Sequence, residues 1–178
     1  MAASENGYVV LDSDTTGPPP RLRSWVIPGV NRKLLLRDGS VGFLLVHLAM
    51  WFDKVIESID SGGLDDWGYA RRQISGSSKW SNHASGTAID LNATQHPMGV
   101  STLRTFSQLE VTRIHKRLDF YNDCIGWGGD YRSRPDAMHF EIIASLGSVE
   151  RRAKPLTGSG RGKQICNLNP GVKAFIFS

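Results

Sequence analysis

The stretch Ser81-Asn-His83-Ala-Ser-Gly86-Thr-Ala-Ile-Asp90-Leu-Asn92 sets a histidine, a turn-forming glycine and an aspartate within an alternation of apolar residues. His83 and Asp90 are seven residues apart. On a continuous helix they would stand about 10 Å apart along the axis, too far to share one ion. On a continuous strand an odd separation sends them to opposite faces. The chain must therefore turn between them, and Gly86 accepts a positive φ without strain. The expectation is His83 on a loop or strand end and Asp90 on the strand that follows. Asp90 then shares a face with Ala88 and Asn92, with Ile89 and Leu91 on the other.

A second stretch has the same character, Asp136-Ala-Met-His139-Phe-Glu141-Ile142. As a strand it puts Met138, Phe140 and Ile142 on one face and His139, Glu141 and Ile143 on the other. His83, Asp90 and His139 together are two imidazoles and one carboxylate. That donor set suits a catalytic zinc ion with one position left open. Such an ion polarises a carbonyl and acidifies bound water, and the reaction then needs a base. Asp136 and Glu141 both qualify. Strand parity favours Glu141, whereas a turn at 135–137 would swing Asp136 toward the metal, so spacing leaves both open. His-x6-Asp is a weak pattern by itself, and histidines serve structural roles as readily.

Val41–Ile59 recurs apolar at three- and four-residue steps and predicts a helix capped by Ser40 and stopped at Ser61-Gly62-Gly63. His47 and Trp51 on it read as structural or solvated. Arg32–Arg37 and Trp67–Ile74 read as strands. In the second, the adjacent Arg71 and Arg72 must face opposite ways. His96-Pro97 reads as a hydrogen-bonded loop element. Phe106–Tyr121 predicts a second helix, with a capping box in Ser107-Gln-Leu-Glu110 and a staple between Phe106 and Val111. His115 falls outside its apolar stripe and reads as solvated. Trp127-Gly-Gly-Asp-Tyr131 reads as a rim or pocket with close backbone approach. A short helix is expected at Val149–Lys154, and Val172–Phe177 reads as a strand or stub.

The 178 residues suit one domain, with 40% hydrophobic content and 9% aromatics. The expected layout is an arm at 1–24, the main domain at 25–153 and a basic, Gly-containing tail or linker at 154–178. The arm holds Gly17-Pro-Pro-Pro20, and the tail carries much of the formal +4 charge. That tail reads as solvated linker rather than as a polyanion-binding segment. No run is apolar enough for a membrane helix, and Met-Ala-Ala-Ser-Glu-Asn lacks the features of a secretory signal. Cys124 and Cys166 read as free thiols without a metal role.

The blocks Ser81–Asn92, His96–Gly99, Trp127–Asp130 and Asp136–Glu141, in this order, resemble the M15 group of zinc D,D-peptidases, particularly its phage-endolysin branch. The resemblance runs from about Trp25 to Ala153. It implies an α+β fold of the Hedgehog/D,D-peptidase type, a small antiparallel sheet carrying a zinc site and packed by helices. It implies His83, Asp90 and His139 as zinc ligands, Asp136 as catalytic base and Glu141 as a supporting residue. It implies Arg72 beside the substrate carbonyl or carboxylate, although the aromatic that usually precedes this arginine is replaced by Arg71. Ser81 and Trp127 are the expected substrate contacts. The implied activity is hydrolysis of an amide bond in the peptide stem of bacterial peptidoglycan, as an endopeptidase or a D,D-carboxypeptidase. The implied setting is a monomer made in the host cytoplasm and released to the wall through a holin, with no nucleic-acid partner and no membrane insertion. A non-catalytic wall- or protein-binding module on the same scaffold is the alternative.

Overall fold

The computed structural model describes residues 1–61 and 63–177. In chain order the elements are β1 (Leu22–Val26), β2 (Lys33–Arg37), α1 (Ser40–Val55), β3 (Ala88–Asp90), α2 (Thr102–Thr105), α3 (Gln108–Phe120), β4 (Ile125–Trp127), β5 (His139–Ile142), α4 (Leu146–Leu156), α5 (Gly160–Leu168) and α6 (Val172–Phe177). Two 3₁₀ turns, Asn82–Ser85 and Gly128–Asp130, flank the sheet segments. The result is a mixed α and β molecule with small antiparallel sheets. β1 and β2 form a hairpin, and β5 lies between β3 and β4. Asp90 pairs directly with His139, and Ala88 with Glu141, so the two motif stretches are neighbouring strands of one sheet.

The axis of the core is α1. Every residue from Ser40 to Phe52 is buried, which marks an interior helix rather than an amphipathic surface one. It packs on β1, β2 and β5 and on α4, α5 and α6. The helix ends at Val55, four residues short of the expected Ile59. Past it the chain turns, and Asp53 Oδ1 accepts from the Ile59 amide at 3.2 Å. That turn lets Glu57 accept from Asn92 at 3.1 Å and bond His96 at 2.7 Å, tying the helix end to the loop after β3. Of the expected stop at Ser61–Gly63, Gly62 lies outside the described residues.

Trp67–Ile74 is not a strand. Only Trp67, bridged to Asp90, and Gln73, bridged to Trp80, make ladder contacts. Between them the Arg72 amide folds back onto the Ala70 carbonyl at 2.9 Å, which breaks the alternation. α3 begins as expected, with the reciprocal Ser107–Glu110 capping box in place.

The segment after Lys154 is not a solvated linker. Val172–Phe177 is helical, and Leu156, Ile165, Val172 and Ile176 are buried in the common core. Asn169 clips this region to the hairpin edge. It accepts from the Val26 amide at 2.9 Å and donates to the Val26 carbonyl at 3.0 Å. The N-terminal segment is docked too, with Ser4, Tyr8 and Leu11 buried. Leu22–Ser24, expected in the arm, form most of β1. Among the described residues no helix is long and apolar enough to cross a membrane.

Candidate metal centre and cleft

The turn that carries His83 is built locally. Ser81 caps it by accepting from the His83 amide at 3.3 Å, and Thr87 Oγ1 donates to the Asn82 carbonyl at 3.1 Å. Gly86 closes it at φ 67°, in the left-handed region. A side chain there would also meet the Arg37 amide nitrogen at 2.6 Å, because Gly86 is pressed against β2. The chain then enters β3, which ends on Asp90.

Three side chains converge. His83 Nε2 lies 3.2 Å from Asp90 Oδ1 and 3.2 Å from His139 Nδ1, and His139 Nδ1 lies 2.9 Å from Asp90 Oδ1. All three residues are buried, with one ligand atom from each inside a 4.8 Å span. The outer ring nitrogens are engaged elsewhere. His83 Nδ1 donates to the Gly68 carbonyl at 2.5 Å, and His139 Nε2 faces Glu141 Oε2 at 3.3 Å. With the outer nitrogens so engaged, the inner nitrogens face Asp90 and each other, a spot where either a proton shared with Asp90 or a cation can sit. Outer partners of this kind orient metal-binding imidazoles. The donor set fits a zinc ion.

The electrostatics agree. Burial would raise the Asp90 carboxyl, but hydrogen bonds with His139 and His83 outweigh it and hold the group well below the usual carboxylate range. Burial would lower His139, but Asp90 and Glu141 outweigh it and pull it up to about 10. The pocket is built to stabilise positive charge at this point, whether a proton or a cation carries it.

Asp136 and Glu141 have different surroundings. Glu141 is fully engaged. It accepts from Asn82 Nδ2, from His139 and, at 2.6 Å, from the Tyr131 hydroxyl. Against the cost of burial, these contacts bring its carboxyl down to about 2. Asp136 sits in a turn instead. Its amide donates to the Gly128 carbonyl at 2.8 Å, and its own carbonyl accepts from the His139 amide at 3.0 Å. That turn directs the side chain into the cleft, where Oδ1 is buried without a hydrogen-bond partner. Burial raises the Asp136 carboxyl, with Asp90 adding to the rise. An unengaged carboxyl with a raised pKa is suited to proton transfer.

Arg72, Ser81, His83, Asp136, His139 and Glu141 line one cleft of about 330 Å³. Arg72 and His83 also line a second cleft of about 560 Å³ that reaches Trp67, Gly68 and Asp90. Arg71 turns away, 3.6 Å from Asp12 and over the Trp80 ring at 5.4 Å. The expected sites therefore meet, with one exception. Trp127 is buried, donates to the Ala137 carbonyl at 2.8 Å and stacks on Phe140 at 6.0 Å. It supports the Asp136–His139 turn from beneath and is not a cleft residue. Its flat indole needed an apolar bed, and Phe106 and Phe140 provide it.

The remaining histidines behave as structural or surface groups. His96 stacks on Phe106 at 3.8 Å, His47 bonds Tyr121 and Arg117 in the core, and His115 pairs with exposed Asp130. The cleft is also lined by Asn82, Met98 and Arg134, none of which the sequence marks as cleft residues, and by Tyr131, which belongs to the stretch read as a rim or pocket.

Residues 75–142 match the M15 peptidase family model described as D-alanyl-D-alanine carboxypeptidase. His83, Asp90, Asp136 and His139 all fall inside that match, whereas Arg72 lies just before it. No curated protein and no solved structure matches the chain.

Proposed function

We propose that this M15-family peptidase uses a zinc ion held by His83, Asp90 and His139 to hydrolyse an amide bond in the stem peptide of bacterial peptidoglycan. The observation that carries the reading is the buried His83–Asp90–His139 trio, two of whose members, His83 and His139, share one cleft with Asp136, whose Oδ1 has no partner. Zinc at the trio would supply Lewis acidity toward the amide carbonyl and toward a water molecule. Asp136 takes the proton from the attacking water and passes it to the departing nitrogen. The Arg72 guanidinium offsets the negative charge that grows on the carbonyl oxygen, commonly the largest contribution to such a reaction. Ser81, at the mouth of the His83 turn, contacts the substrate backbone. Glu141 keeps His139 oriented and takes no part in proton transfer.

On this reading the fold is of the Hedgehog/D,D-peptidase type and the protein is a phage endolysin. It is a monomer made in the host cytoplasm that reaches the wall through a holin. The test is digestion of purified cell walls, with mass spectrometry of the fragments. New amino termini on an intact glycan are expected, and they should vanish in Asp136→Ala at unchanged zinc content. Reducing sugar ends without new amines would exclude a peptidase. Undiminished lysis by Asp136→Ala would remove that residue from the mechanism, and walls bound but left uncut by wild type would favour the binding-module alternative.

A further inference from the structure

The N-terminal segment lies wholly outside the M15 match, yet it grips the His83 turn at four successive points. The Glu5 amide donates to the Trp80 carbonyl at 3.0 Å, and the Leu11 amide donates to the Ala84 carbonyl at 2.9 Å. Ser4 Oγ donates to Ser85 Oγ at 2.8 Å, and the Asn6 amide donates to Asn82 Oδ1 at 2.9 Å. Asn6 is itself fixed on the far side. Its side-chain amide donates to Thr87 Oγ1 and to the Ile142 carbonyl, both at 2.8 Å. It therefore joins the His83 turn, the start of β3 and the end of β5, the three pieces of chain on which the donor groups stand.

Asn82 carries this contact inward. Its Oδ1 is occupied by the Asn6 amide, which leaves its Nδ2 directed at Glu141 Oε2. The same Glu141 oxygen faces His139 Nε2 at 3.3 Å. A continuous chain of polar contacts thus runs from Asn6 through Asn82 and Glu141 to His139. Reversing the Asn82 amide would bring its oxygen against a carboxylate, so the Asn6 amide selects the one orientation that Glu141 accepts.

We propose that Ser4–Tyr8 is a positioning element of the metal centre, with Asn6 acting through Asn82 and Glu141 on His139. The proposal rests on the metal-dependent reading above. Asn6 touches no reacting atom. Its effect is on the rotamer of Glu141, and through it on which His139 nitrogen bears the proton. Glu141 is the contact one step removed from the ligand His139, a position typically worth about 10- to 100-fold in affinity or activity, and Asn6 and Asn82 act through it.

The test compares full-length wild type, Asn6→Ala, Asn82→Asp and the double variant. Zinc affinity is read by chelator competition, the site geometry by the visible absorption of the cobalt-loaded protein, and stability by urea unfolding. Asn82→Asp keeps the shape and the oxygen that accepts from Asn6, so it reports even where Asn6→Ala folds poorly. Expected are about 10-fold weaker zinc binding in each single variant, an altered cobalt spectrum, and a double variant little worse than the singles, since both act on one chain of contacts. Saturating zinc should restore kcat to Asn6→Ala. Unchanged zinc affinity and cobalt spectrum in both single variants, with wild type binding zinc, would overturn the positioning role and leave the peptidase reading standing. Wild type that binds no zinc would overturn both.

Discussion

His83 donates from Nδ1 to the backbone carbonyl of Gly68 at 2.5 Å, and this contact decides which of its nitrogens faces Asp90 and His139. The carbonyl is held in turn by close packing. A Cβ on Gly68 would stand 2.4 Å from the Leu35 carbonyl oxygen and 2.9 Å from Leu36 Cδ2. Gly68→Ala must therefore move the backbone that orients His83. The expected outcome is zinc affinity weaker by about 10-fold or more, read by chelator competition, with no ligand residue altered. Affinity equal to wild type would mean that the Gly68 carbonyl is dispensable.

Arg71 and Arg72 offer a paired test. Arg72 reaches the cleft beside Asp136, while Arg71 lies over Trp80 with its side chain 55% exposed. Arg72→Ala should lower kcat by about 100-fold with little change in stability, the usual size of a lost oxyanion contact. Arg71→Ala should lie within about 2-fold of wild type, since exposed ion pairs contribute little. Steady-state kinetics on a soluble stem-peptide substrate distinguish the two. A larger loss at Arg71 would reverse the assignment.

Gly86 is the hinge of the His83 turn. Its φ of 67° and its contact with the Arg37 amide leave no room for a β-branched residue. Gly86→Val should cost about 1–3 kcal/mol from backbone strain alone and should also displace Asp90 from His83. Parallel urea unfolding and zinc titration should therefore both shift. A stability loss with intact zinc binding would show that the turn and the donor set are independent.

His47 predicts an acid weakness remote from the cleft. Burial, followed by the nearby Arg117, Arg161 and Arg152, brings its pKa from 6.5 down to about 3. Arg117 donates to His47 Nδ1 at 2.8 Å, so that nitrogen must stay unprotonated in the fold. Between those two pH values the unfolded chain takes up a proton that the folded chain refuses. Stability is therefore fully present above about pH 6.5 and is lost progressively as pH falls toward 3. The slope from this group is at most about 1.4 kcal/mol per pH unit. Urea midpoints from pH 7 to pH 4 should fall less steeply in His47→Gln than in wild type. Parallel slopes would assign the acid sensitivity to other groups.

What the sequence disclosed was local. The capping box at Ser107–Glu110 needs only residues three apart, and it is present. The turn at Gly86 and the shared face of His139 and Glu141 follow from chain geometry over a few residues, and they stand as read. What stayed hidden depends on distant partners. Trp127 looked like a rim residue because two glycines follow it, but Phe106 and Phe140 claim its ring for the core. Trp67–Ile74 had strand alternation but no neighbour to pair with beyond single bridges. Spacing could not separate Asp136 from Glu141. The distinction lies in which oxygens are already engaged, and Asn82 and Tyr131 decide that from other segments. The basic C-terminal stretch read as linker because of its charges and glycines, but it folds into short helices that bury Leu156, Ile165, Val172 and Ile176 and so dock it.

The docking of Ser4 against Ser85, and of Glu5 at the edge of the cleft, bears on how the protein should be handled at the bench. Met1 is fully exposed and only three residues from Ser4. An affinity tag fused ahead of it begins three residues from the segment that grips the His83 turn, and a polyhistidine tag adds a rival set of imidazoles for the metal ion proposed there. Metal content and wall digestion are therefore best measured on protein whose N-terminal tag has been removed.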